Sequence, residues 1–115
     1  MPKLTESTFT VKGKSKKEYK FEVYSLDTHF NSVGGIYIFS ERVKDASDNF
    51  SHKMKYCGKT EDLSTRFNNH HKSDCTKKNG ANCIGIKSVS TEKERTEIET
   101  DILLGNNFTC NEVLN

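Results

Sequence analysis

Long apolar runs are missing from this chain: nothing in its 115 residues approaches the roughly 20 consecutive hydrophobic positions that a membrane-spanning helix needs. Residues 1–10 also lack the basic-then-apolar order of a secretory signal. A cytoplasmic, intracellular location without membrane contact is therefore expected. Hydrophobic residues are few, 32% against 30% charged, enough for one modest core but not for two. Net charge is small as well. A formal +2 does not by itself require a polyanionic partner, and the distribution says more than the sum. Lys12, Lys14, Lys16, Lys17 and Lys20 crowd one segment, and Lys72, Lys77 and Lys78 another. Such patches meet phosphates when they are not simply a solvated face.

Closely spaced metal-binding pairs are absent too. Cys57, Cys75, Cys83 and Cys110 could form two disulfides, but without a secretory signal free thiols are expected. His70, His71, Cys75 and Cys83 lack the tight spacing that identifies a zinc site. There are no internal repeats.

What is present reads as follows. Residues 1–18 are polar, lysine-rich and aperiodic, which predicts a flexible arm ahead of a single domain over 19–115. Residues 19–24 alternate apolar and polar and predict a half-buried strand at a sheet edge. Gly34 and Gly35 punctuate the chain before the β-prone run 36–40. A polar connection over 41–52 leads to a strand at 54–58, so the two strands should form an antiparallel hairpin with a long loop. Glu61 and Asp62 suit the first turn of a helix over 61–72, and residues 73–82 read as loop. Residues 83–89 predict another strand. Thr91 with Glu94 three residues on matches a capping box, opening a helix to about Leu104. The expected class is α+β: a small three-stranded antiparallel sheet flanked by helices, with an N-terminal edge-strand extension.

Chemistry-bearing residues gather around two short motifs. Gly35-Ile36-Tyr37 and Tyr56-Cys57-Gly58-Lys59 place one tyrosine on each of two adjacent strands. Arg66, His70 and Glu99 stand at helix-like spacings. Together they make an inventory suited to metal-assisted cleavage of a phosphodiester, which needs an activated water, charge relief on phosphoryl oxygens and help for the leaving oxygen.

These motifs resemble the two signature tripeptides of the GIY-YIG nuclease superfamily, and the resemblance extends over residues 34–111. Lys59 directly follows the second tripeptide. Arg66 lies ten positions after Tyr56, and His70 one helical turn later. Residues 98–103 resemble the apolar-Glu-x-x-apolar-apolar helix that carries the family's metal-binding glutamate, here Glu99, and Asn111 falls where the family has a terminal asparagine. Three departures stand out. Tyr37 and Tyr56 are unusually far apart, implying an insertion in the hairpin loop. Cys57 replaces the usual isoleucine, and Phe108 lies near the place of a common proline. None of them removes a reactive group.

The resemblance implies a divalent-metal-dependent endonuclease hydrolysing DNA. Glu99 would hold one Mg2+ or Mn2+. Arg66 would fork onto a phosphate, and His70 would orient a phenol or relay a proton. Tyr37 is favoured over Tyr56 as general base, a phenol needing nearby cations to serve at neutral pH. Lys59 would bind substrate, with Lys16 and Lys17 of the basic arm adding backbone contacts. Gly35 and Gly58 keep space beside the tyrosines, and Asn111 supports the site. The alternative is a catalytically silent or partner-dependent nucleic-acid-binding module. A homodimer or partner protein would enlarge the small DNA footprint.

Overall fold

The computed structural model describes residues 3–25, 30–44, 46–47, 50–64, 73–106, 108 and 110. The described residues form five strands and two helices: β1 (Lys3–Lys12), β2 (Glu18–Ser25), β3 (Gly35–Lys44), β4 (Phe50–Thr60), α1 (Ser73–Lys78), β5 (Cys83–Ser88) and α2 (Glu92–Gly105). The strands form one antiparallel sheet in the order β1-β2-β5-β3-β4. The α+β class holds, but the sheet has five strands rather than three.

The N-terminal segment shows why. Within the stretch expected to be a flexible arm, Thr8-Phe9-Thr10-Val11-Lys12 alternates polar and apolar, and it pairs with β2 at Phe9↔Phe21 and Val11↔Tyr19. Val11 is buried. The lysines that suggested disorder lie on the exposed face and the turn. β2 is consequently an inner strand, not an edge. Phe9 stacks on Phe21, with ring centroids 5.5 Å apart, and also reaches His52 of β4 at 4.9 Å. The sheet curls until its first and last strands approach each other. Phe9 passes over β5 at Gly85, where a Cβ would strike its ring.

β3 carries the continuous run Ile36-Tyr37-Ile38-Phe39, the mark of a strand covered on both faces, and Gly35–Ser40 is buried throughout. One face joins Ile36 and Ile38 to Val11, Phe21, Cys57, Val89, Ile102 and Phe108. The other joins Tyr37 and Phe39 to Tyr56, Leu63, Ile84, Ile86 and Cys110.

The hairpin between the tyrosines is antiparallel as expected. Its extra residues lengthen the strands rather than the loop, since pairing continues to Lys44↔Phe50 and much of the expected connection at 41–52 is strand. A register shift between Phe39 and Ser40 leaves Lys55 unmatched, and its carbonyl accepts from the Cys110 N–H at 2.7 Å. After β4 a turn at 61–64 buries Leu63; the rest of the helix expected over 61–72 lies outside the described residues. Residues 73–78, read as loop, form the short helix α1. Cys75 on α1 is disulfide-bonded to Cys110, with Cα atoms 5.9 Å apart, while Cys57 and Cys83 are buried free thiols. The expectation of four thiols is corrected for one pair, because spacing alone does not reveal connectivity. Among the described residues no helix is long and apolar enough to cross a membrane.

Candidate functional site

The β3–β4 register sets Tyr37 opposite Gly58 and Phe39 opposite Tyr56. Side chains alternate along a strand, so the two tyrosines, diagonal to each other, share a face. Their ring centroids are 6.1 Å apart at 37°. Gly58 is what permits this. A Cβ there would stand 2.5 Å from the Tyr37 hydroxyl oxygen and 3.0 Å from the Tyr56 ring, so the Tyr37 hydroxyl rests against the bare backbone of β4. Tyr37 is fully buried, while Tyr56 keeps 8% of its surface exposed. Gly35 is required by a different neighbour: a Cβ would meet the Lys87 carbonyl of β5 at 2.6 Å.

Glu99 reaches β4 from α2, on the opposite face of the sheet from the tyrosines. Thr91 caps that helix, its hydroxyl accepting from the Glu94 N–H at 3.2 Å. Glu92, Arg95, Glu99 and Ile102 follow at helical spacing, and buried Ile102 pins this face to the core. Glu99 is half-buried beside β4, and its carboxyl is hydrogen-bonded by the backbone of Lys59. Burial raises its pKa. The Lys59 charge and that hydrogen bond oppose the rise, and Glu92 adds to it. The result is an acidic group short of positive charge. Burial also pushes the Cys57 thiol well up, with Glu99 contributing, so this thiol behaves as a small core residue.

Lys59 extends from the edge strand to Glu92, Nζ donating to Oε2 at 2.6 Å. Arg95, 6% exposed, donates from Nη1 to the Val89 carbonyl at 2.9 Å and from Nε to Glu92 Oε1 at 3.4 Å. Gly34 lies so close that a Cβ would overlap the Arg95 guanidinium. Arg95 thus fastens the entry of β3 to the helix carrying Glu99.

Of the residues singled out from sequence, Tyr37, Tyr56 and Gly58 share one face of the β3–β4 hairpin, while Lys59 and Glu99 meet on the opposite face, the one α2 covers. Gly35 opens β3 against Lys87 of β5. Arg66, His70 and Asn111 lie outside the described residues. Lys16 and Lys17 are exposed on the β1–β2 turn, and Lys17 borders a groove of about 440 Å3 that Glu94, Glu97 and Asp101 also line. Those carboxylates oppose a phosphate there, so the groove itself is no track for a nucleic-acid backbone. Glu92 and Arg95 were missed, although their positions seven and four residues before Glu99 place them on its helix face. Among the described residues no three potential metal ligands cluster.

Two tyrosines are thus held over a glycine on one face of β4, and a half-buried carboxyl from α2 is bonded to the backbone of the next residue on the other. The family described as the GIY-YIG catalytic domain matches residues 33–110. No curated protein and no solved structure matches the chain.

Proposed function

The chain belongs to the GIY-YIG family, whose domains are generally nucleases, and from that premise we propose that it is a divalent-metal-dependent endonuclease hydrolysing DNA phosphodiester bonds. What carries this reading is the family match over residues 33–110, with Tyr37 and Tyr56 packed over Gly58 and Glu99 hydrogen-bonded by the backbone of the next residue, Lys59.

Glu99 suits a hard cation such as Mg2+ or Mn2+. Its carboxyl is half-buried and its pKa is raised chiefly by desolvation, a penalty that a bound cation relieves. When bound, such an ion supplies charge neutralisation at the phosphoryl oxygens. Glu99 is the carboxylate that would hold such an ion, so the free protein should bind the metal only weakly.

The phenol pair supplies the base. Exposure favours Tyr56 as the phenol that meets water, with Tyr37 packed behind it, which reverses the preference drawn from sequence. Arg66 contributes a bidentate phosphate contact and His70 a proton relay. A general base is worth about 10²- to 10⁴-fold in rate. Tyr56→Phe should therefore lose at least 100-fold in kcat on labelled duplex DNA, with little change in KM. If Tyr37→Phe carries that loss and Tyr56→Phe does not, Tyr37 is the base. If neither variant loses activity, tyrosine base catalysis is wrong.

A further inference from the structure

Lys59 already holds an anion in the free protein. Its ammonium is bound by Glu92 Oε2 at 2.6 Å, and Glu92, though exposed, has two further partners. Thr96 Oγ1 donates to the same oxygen at 3.1 Å, and Arg95 grips Oε1, itself buried and tied to Val89. A two-oxygen anion braced from behind offers a lysine what one backbone phosphate offers. It stands two helical turns before Glu99 on the same face of α2. Lys59, for its part, meets Glu99 through its backbone N–H.

We propose that Glu92 is a positioning residue that stands in for phosphate: it holds Lys59 aimed at the site in the free protein, and substrate binding exchanges the Lys59–Glu92 pair for a Lys59–phosphate contact. This rests on the nuclease reading above. Glu92 thereby sets how strongly a phosphodiester must compete for Lys59, and so the affinity threshold of the site.

The test is binding of a fluorescein-labelled DNA duplex in EDTA, so that no strand is cut, together with thermal unfolding to show that each variant is folded. Glu92→Gln should bind about two- to fivefold tighter than wild type, the range expected from an exposed ion pair. Glu94→Gln is the matched control, since it removes the same charge from the same helix turn and retains the capping box. Glu92→Asp keeps the charge but shortens the reach, and should also gain affinity. In a Lys59→Met background the effect of Glu92→Gln should fall to that of Glu94→Gln. Equal effects of Glu92→Gln and Glu94→Gln, or a gain that persists without Lys59, would overturn the proposal while leaving the nuclease reading intact. Absence of duplex binding by every form in EDTA, wild type included, would overturn the exchange proposed for Lys59, whereas the nuclease reading stands or falls on cleavage with metal.

Discussion

At the level of single residues, function rests on where side chains are missing as much as on where they are present. Gly58 gives Tyr37 its place: the hydroxyl occupies the volume a Cβ would take. Gly58→Ala must displace a fully buried tyrosine, and overpacking of that kind costs about 1–3 kcal/mol. Urea denaturation should show the loss, and cleavage should fall with it because Tyr37 and Tyr56 move together. Unchanged stability would mean that the ring has room to shift. The tyrosines, Gly58, Lys59 and Glu99 were legible in the sequence because each stands in a short motif with fixed spacing. Glu92 and Arg95 were not. A glutamate and an arginine near the start of a helix look like ordinary solvated charges, and only the fold shows Arg95 buried against Gly34 and Val89.

At the level of elements, α2 works on two flanks. One carries Glu99 to β4. The other holds the β1–β2 turn through Asp101, whose carboxylate accepts from the Ser15 N–H at 2.8 Å, the Ser15 hydroxyl at 2.6 Å and the Tyr19 hydroxyl at 2.7 Å. The Asp101 carbonyl accepts from the Lys14 N–H at 3.0 Å. This brace keeps Lys16 in the left-handed region, φ 73°, where a residue with a Cβ is uncommon. The Ser15 and Tyr19 hydrogen bonds hold the Asp101 pKa below the usual carboxylate value. A depressed carboxylate contributes stability that is complete above its unfolded pKa and is lost as pH falls through the folded one. Asp101→Asn should therefore destabilise by about 1 kcal/mol near neutral pH, as expected for exposed hydrogen bonds to a charged group. The difference from wild type should shrink on acidification below pH 4, as thermal melts across pH would show, and cleavage should be little affected. A constant difference at all pH values would assign the effect to packing. β5, α2 and its cap were readable because a compact β-prone run is followed directly by a capping box. β1 was not, since Lys12, Lys14, Lys16, Lys17 and Lys20 outweighed the short alternation over residues 8–12.

At the level of the whole molecule, the disulfide joins α1 to the segment after α2, across a sequence separation of 35, while the Cys110 backbone is held by β4. Closing a loop of this length is worth about 2–4 kcal/mol. Alkylation under denaturing, non-reducing conditions should label two cysteines, and four after reduction. Urea denaturation with reductant should show the corresponding loss. Four labelled cysteines without reductant would remove the cross-link from the description of this protein. The pairing was illegible because α1 itself was: a stretch of Ser, Asp, Thr and Lys carries no apolar periodicity, and tertiary anchoring through Cys75 and buried Thr76 makes it helical. The sheet's curl, which lets Phe9 meet His52, is likewise a long-range outcome that no local pattern announces.

A GIY-YIG domain of this build is expected to cut DNA through Glu99 and a divalent cation. The most direct test is cleavage of labelled single- and double-stranded DNA with Mg2+, Mn2+ or EDTA, wild type beside Glu99→Gln. Cutting should require the metal and should be abolished by the substitution. The variant should also melt higher than wild type near pH 7 without metal, because a carboxyl whose pKa is raised by burial costs stability once ionised. Cleavage that persists in Glu99→Gln under metal, or in wild type under EDTA, would contradict the mechanism.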